Sequence, residues 1–307
     1  MYTQSHNSLW KHSGTKSYSV YSIKPKLNTL ADPAWYRSES PYYKDSHRRL
    51  RQWARDLIES EIMPFALEWD MANAAPSTLY KKFGSVGFLS GITGHGWPAE
   101  SPVRPPVGIA PEEWDPFHEF ILCDELARIG STGIGAVLTL GPSIALPPIL
   151  HFGTPEQKQK IIEPVLAGDK TICLAITEPY AGSDVANIQT TAVLSKDSNG
   201  ADFFVVNGEK KWITNGMWAD YFVVAARTGG PGMEGISLLL LEKGMPGLAV
   251  RKVICQGNAC AGTAYVTFEN VRVPLKNVIG KLNKGFRVCL SYLMARRPSC
   301  SILITND

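Results

Sequence analysis

The sequence predicts an α+β protein, with a helical first half and an antiparallel β second half, on three observations. Apolar residues recur at helical spacing through residues 46–68 and again in segments up to 166. From residue 170 these give way to short β-branched and aromatic runs bounded by Gly, Pro or Asn. Helical spacing then returns after residue 281. The expected organisation is an N-terminal tail over 1–42, a helical domain over 43–169, a β domain over 170–280 and the start of another helical domain over 281–307.

In the first helix Leu50, Trp53, Ala54, Leu57, Ile58 and Ile62 form one stripe, with Arg and Glu on the other face. Pro64 ends or kinks it. A shorter helix over 78–86 closes at Gly87, and the Gly- and Pro-rich stretch 91–116 reads as a long loop. The next helix, over 117–129, stops at Gly130. "GSTGIGAVL" lies between helices and opens no strand–turn–helix unit, so it is not a dinucleotide-binding loop. In "TPEQKQKIIEPVLAG", Thr154 is placed as cap, Pro155 in the first turn and Gln157 three residues past the cap, starting a helix that runs to Leu166. In "FFVVNGEKKWIT", Asn207 and Gly208 separate two strand-like runs and predict a hairpin. "YFVVAART", "ISLLLLEK", "LAVRKV" and "AYVTFENVRVP" supply further strands. Finally, "GFRVCLSYLMARR" sets Phe286, Cys289, Leu290, Leu293 and Met294 on one apolar stripe for which the sequence offers no partner helix.

Composition narrows the function classes. Of the 307 residues 44% are hydrophobic and 19% charged, the balance of a globular chain. A net charge of +3, from 31 bases and 28 acids, gives no reason to expect nucleic acid. No apolar segment approaches the roughly 18 residues that would suggest a membrane span. The six cysteines form no CxxC pair and no metal-type spacing with His. No metal site is expected, and reduced thiols point to an intracellular protein. The first 31 residues hold four Lys and no acid, which suits a transit peptide or an unstructured tail. Mitochondrial, peroxisomal and cytoplasmic placements all stay open.

Two stretches carry chemistry. "CLAITEPYAGSDVANIQTTA" begins as a strand and then replaces bulk with Ala181, Gly182 and Ser183. Bare backbone N–H groups there make an anion-binding concavity, or else a tight turn held by Ser183 and Asp184. In "KKWITNG", period-2 alternation puts Trp212 and Thr214 on one side, a flat wall beside a hydroxyl. Such a wall suits a planar ring; equally, it is a core Trp with a strand Thr.

"AITEPYAGSDVAN" resembles the signature of the acyl-CoA dehydrogenase family, and "GEKKWITNG" resembles its second flavin segment. "NVRVPLKNVIG" with "NKGF" is similar to the end of its β domain. "DELARIGS" and "HFGTPEQKQK" resemble its N-terminal helical domain, so the resemblance covers residues 43–298. It implies an N-terminal all-α domain, a middle antiparallel β domain and a C-terminal helical bundle that is here largely absent, a truncated chain. It also implies FAD as cofactor, an acyl-CoA thioester as substrate and a place in fatty acid metabolism. A base takes the α-proton as the β-hydride passes to flavin N5. The acceptor is an electron-transfer flavoprotein or dioxygen. The family forms homo-oligomers, which a truncated chain is not expected to reproduce.

Residue by residue, Ile176 and Thr177 match the backbone and hydroxyl at the flavin edge. Ser183 matches the hydroxyl near the cofactor pyrophosphate and the acyl-CoA chain. Trp212 matches the ring-packing indole, Thr214 the threonine beside N5, and Ile213 between them completes the cofactor-binding set. Some positions depart from the family pattern: Asn187 and Ala261 replace a small residue and a Ser, and Arg296 stands where an acidic or polar residue is more usual. The family's catalytic glutamate belongs to the C-terminal bundle, so no catalytic residue is named. The alternative is an incompetent paralogue or fragment that at most binds flavin.

Overall fold

The computed structural model describes residues 41–289 apart from His95. Helix α1 (Asp45–Glu61) stops short of Pro64, and α2 (Ala66–Ala72) starts after it. Leu50, Ala54 and Ile58 of α1 are buried together with Phe83 of α3 (Ser77–Ser85) and Phe88 of α4 (Phe88–Gly91). Ile121 and Leu122 of α5 (Pro116–Ala127) complete this core. The stretch 91–116, expected as loop, adds only two short 3-10 turns at Pro106–Gly108 and Pro111–Glu113 beyond the end of α4.

One face of α1 departs from expectation. Its arginines do not all face water: Arg55 is buried and donates through Nε and Nη2 to both oxygens of the buried Glu125 of α5, each at 3.0 Å. Arg51 Nη1 (2.8 Å) and Arg128 Nη1 (3.0 Å) donate to the same carboxylate. A charge this deep survives only when nearly every lone pair is used.

The segment after Gly130 is helical, which the sequence reading missed. It comprises α6 (Thr132–Leu140), a π-helical turn (Gly141–Ala145) and α7 (Pro147–Phe152). Ser131 Oγ caps its start by accepting the Ile134 N–H at 3.3 Å. Gly133, Gly135 and Pro142 disguise the helix, and near-continuous apolar character erases its periodicity. Contrary to the expectation from hydropathy, Thr132–Phe152, with mean hydropathy 1.6, is long and apolar enough to cross a membrane. Of its apolar window 67% is buried inside the protein, as in a core helix. Helix α8 (Pro155–Leu166) follows with the predicted capping box: Thr154 Oγ1 accepts from Gln157 N (3.3 Å), and Gln157 Oε1 accepts from Thr154 N (3.1 Å).

The strands are β1 (Ile172–Ala175), β2 (Thr191–Lys196), β3 (Asp202–Ile213), β4 (Tyr221–Arg227), β5 (Ile236–Glu242), β6 (Leu248–Lys252), β7 (Ala264–Pro274) and β8 (Val278–Ile279). They form an 8-stranded sheet in the order β6-β7-β3-β2-β4-β5-β8, with β1 on β4. Most pairs are antiparallel. The exceptions are β1, which lies parallel to β4, and a single parallel β2–β4 pairing, Thr191 with Arg227. The sheet is therefore mixed, because the chain crosses over through β2 and β3 before returning beside β1. Alternate residues of β4 and β5 serve two cores. Val223, Ala225, Leu238 and Leu240 pack with Ile149, Ile161 and Val165 of α7 and α8. Phe222, Val224, Leu239 and Leu241 pack with Phe204, Val266 and Phe268. Burial on both faces explains why these strands read as unbroken apolar runs.

Two further expectations are corrected. Asn207 and Gly208 make no hairpin turn; they sit inside β3 at a register shift against β7. The β2–β3 turn lies at 197–201, where Asp197 Oδ1 accepts from Asn199 N (2.8 Å) and Ala201 N (2.9 Å). The Asn-Gly signal is a bulge, held by Asn207 Oδ1 accepting the Asn270 N–H at 2.8 Å. In addition, the stripe that begins at Phe286 is not bare at its first turn: Cys289 is buried and Phe286 packs against the α7–α8 core. Leu290, Leu293 and Met294 fall outside the described residues.

Gly208 has φ of 139°, and a Cβ there would stand 2.7 Å from Thr190 Cα. Gly208→Ala should therefore lower stability by about 1–3 kcal/mol, read as the urea midpoint. Glu125→Ala removes the buried carboxylate that three arginines share, though Arg51 keeps Asp124 and Arg128 keeps Glu59, and should cost about 3–5 kcal/mol in the same measurement.

Candidate active site

The two chemistry-bearing stretches meet around one cavity of about 630 Å³. Ile176, Thr177, Gly182 and Ser183 line it from the first stretch; Trp212, Ile213 and Thr214 line it from the second. All six residues named from the sequence thus share one site. Leu140 and Ile144 of the α6–π segment, Leu174 of β1 and Phe286 add an apolar wall that the sequence reading did not assign. The signal for Leu140 and Ile144 was hidden with the helix that carries them.

The chain leaves β1 at Ala175 and turns back at Pro179 and Tyr180. Glu178 and Ala181 exchange backbone hydrogen bonds, N–H to O at 2.9 and 3.3 Å, leaving Tyr180 90% exposed at the tip. Gly182 follows. A Cβ there would meet no protein atom within 4 Å, so protein packing does not require its bareness. The open space belongs to the cavity. Asn187, where a small residue was expected, folds its side-chain amide onto the Asp184 carboxylate instead.

Opposite, the end of β3 is irregular. The register shifts between Lys210 and Ile213, and Trp212 takes φ of 65°. A bulky residue in this region is strained, a state that persists where surroundings over-determine it. Alternation is therefore not what places Trp212 and Thr214 together, as the sequence reading assumed. Trp212 sits in the bulge, half exposed at 51%, with Lys211 Nζ 4.7 Å above its ring. Thr214 lies beyond the strand end, in the turn. Asn215 anchors that turn: its N–H donates to Ala261 O (2.9 Å) and its Nδ2 to Val137 O of α6 (3.1 Å). Ala261 itself is fully buried and is not a lining residue.

Next to these lining segments in the chain lies Lys210, fully buried and without an assigned role in the sequence. Its Nζ donates to Ile176 O (2.8 Å) and Glu178 Oε1 (2.7 Å). Glu178 also accepts the N–H groups of Gln189 (2.5 Å) and Thr190 (2.9 Å). Burial pushes the Lys210 ammonium down to about 8 against the pull of Glu178. For Glu178, burial works upward, but the Lys210 charge and the donated N–H groups prevail and hold it below the usual carboxylate range. Its proton-accepting capacity is spent on structure.

A second polar cluster, His47, Asp115 and His118, brings groups of metal-ligating type together in the helical domain. His47 Nδ1 accepts the Lys44 N–H (2.9 Å) and His118 Nδ1 the Asp115 N–H (3.1 Å). The protonated Nε2 atoms then donate to Asp115 Oδ1 (2.9 Å) and Ser46 Oγ (3.2 Å). The rings serve as N-terminal caps of α1 and α5, with no lone pair left for an ion.

Sequence and structure comparisons agree on one family. The model described as acyl-CoA dehydrogenase, N-terminal domain matches residues 44–169, and that described as acyl-CoA dehydrogenase, middle domain matches 173–271. Acyl-CoA dehydrogenase AFT10-1 of Alternaria alternata is 43% identical over 265 residues, covering 85% of this chain and 60% of that one. A probable acyl-CoA dehydrogenase from Mycobacterium abscessus superposes with a TM-score of 0.73 at 36% identity, over 83% of this chain and 63% of that one. An acyl-CoA dehydrogenase complexed with FAD from Bacillus anthracis gives 0.69 at 26% identity, over 86% and 42%. The chain thus spans about 60% of the length of the curated relative it matches. With both domain models in order along one fold, this chain belongs to the acyl-CoA dehydrogenase family.

Proposed function

We propose that this chain is the flavin-holding part of an FAD-dependent oxidoreductase of the acyl-CoA dehydrogenase type, acting in α,β-dehydrogenation of an acyl-CoA thioester. The observation that carries the reading is the single cavity lined by both stretches, apolar at Leu140, Ile144 and Ile176 and hydroxyl-bearing at Thr177, Ser183 and Thr214. An apolar cleft with a few convergent polar groups suits a planar, carbonyl-edged ring. Bound FAD would supply hydride acceptance at N5.

The chain's own groups would do the rest. Ile176 and Thr177 would hold one ring edge, Trp212 and Ile213 would pack its face, and Thr214 would offer a hydroxyl toward N5. Ser183, at the open side beside Gly182, would serve the pyrophosphate and the acyl chain. The apolar wall would keep water from one side of the reacting carbons. A base for the α-proton is not supplied by the acids nearest the cavity. Glu178 is locked onto Lys210, and Asp184 holds Asn187. We place the base in the part of the family's length that this chain does not span. The implied partners are an acyl-CoA thioester and, as electron acceptor, an electron-transfer flavoprotein or dioxygen. The absence of disulfides at Cys173, Cys255, Cys260 and Cys289 supports an intracellular setting.

Titration of the purified chain with FAD, followed by flavin fluorescence, tests the reading. Saturable binding is expected, weakened at least about tenfold in Trp212→Ala by loss of ring packing; absence of binding would overturn it. With FAD bound, anaerobic addition of short, medium and long acyl-CoA thioesters should leave the flavin absorbance unbleached. General-base assistance is typically worth about 10²–10⁴ in rate, and neither Glu178 nor Asp184 is placed to give it. Bleaching at a competent rate would show a base within the chain and overturn its placement elsewhere.

A further inference from the structure

Strands β1 and β3 are not neighbours in the sheet, yet the residues after β1 and the end of β3 face one cavity. Three hydrogen bonds bring them together. Lys210 Nζ takes Ile176 O (2.8 Å), Lys211 N takes Thr177 O (2.8 Å), and Lys210 Nζ takes Glu178 Oε1 (2.7 Å). Each peptide here is trans, so its N–H points opposite to its C=O. Turning Ile176 O onto Lys210 therefore turns the Thr177 N–H the other way, and Ile176 and Thr177 both line the cavity.

We propose that Lys210 is a positioning residue for the cofactor: its buried ammonium sets the peptide between Ile176 and Thr177 so that the Thr177 N–H and hydroxyl are presented to the flavin edge, and loss of its charge releases the cofactor. This rests on the FAD reading above. A neutral amine would leave Glu178 as a buried, uncompensated carboxylate and remove the reason for the segment to stay in place. The titratable groups facing Lys210 are Glu178, from the segment after β1, and the Cys289 thiol, from the helical turn at 285–289. Burial pushes that thiol up to about 12, so it adds no charge near neutrality. Lys210, held down to about 8, is the group that changes state under mildly alkaline conditions.

With Lys210 held at about 8, a site competent only when it is charged loses competence as pH rises: most molecules carry the charge at pH 7 and about half at pH 8. At pH 9 about one molecule in eleven would carry the charge, so the apparent Kd for FAD rises about tenfold from pH 7. The test is FAD titration of the chain from pH 7 to pH 9, with circular dichroism confirming the fold at each point. It is repeated for Lys210→Met and for the paired Lys210→Met/Glu178→Gln, which removes both charges so that neither is stranded. The paired variant should melt cooperatively, bind FAD at least tenfold more weakly at pH 7 and show no dependence on pH. A flat wild-type profile, or a folded paired variant with wild-type affinity, would overturn the assignment. Should neither variant fold, the wild-type profile decides alone. Failure of the wild-type chain to bind FAD at pH 7 would instead remove the functional reading, and this inference with it.

Discussion

A lysine ammonium placed where no water reaches must be neutralised and hydrogen-bonded, or the fold would not tolerate it. Lys210 meets this demand with two acceptors, the Ile176 carbonyl and the Glu178 carboxylate, and Glu178 in turn accepts two backbone N–H groups from residues 189 and 190. One buried charge thereby fixes three pieces of chain: the end of β3, the segment leaving β1 and the entry to β2. The two walls of the cavity owe their relation to this arrangement, since no strand ladder connects β1 to β3.

The helical domain solves the same problem in its own core. Glu125 lies between α1 and α5 and spends its oxygens on Arg51, Arg55 and Arg128. Nearby, two buried histidines act as caps, and burial keeps His118 below the ordinary imidazole range, favouring the neutral form that can accept a backbone N–H. Replacing such groups one at a time leaves a partner buried and unpaired, which is why polar cores of this type specify geometry more than they add stability.

The helical segment 132–152 contributes to the cores of both domains and touches the site in two places. Its π-helical turn brings Ile144 to the cavity, and Val137 O accepts from Asn215, which holds the turn containing Thr214. A π-turn widens the helix locally and is common where a side chain must be re-aimed. The bulge at Trp212 does the same for a strand. Both irregularities lie on the cavity and neither follows from regular packing.

Much of this was legible in the amino-acid order. Amphipathic spacing placed α1, α3, α5 and α8 because each presents one stripe to a core, and Thr154 and Gln157 signalled a cap that depends only on neighbours three residues apart. The six site residues were legible for another reason: they sit in two short stretches whose composition is recognisable without knowing how they meet. What stayed hidden depends on distant partners. Residues 132–152 lost their period because they are surrounded on most sides. Asn207 and Gly208 imitated a turn, because a bulge and a hairpin ask for the same freedom in φ and only the opposing strand decides between them. Lys210 gave no signal of its role, since a lone lysine carries no mark of burial. Its partners lie 32 and 34 positions away, and only the folded chain brings that charge, the Glu178 carboxylate and the Ile176 carbonyl to one point.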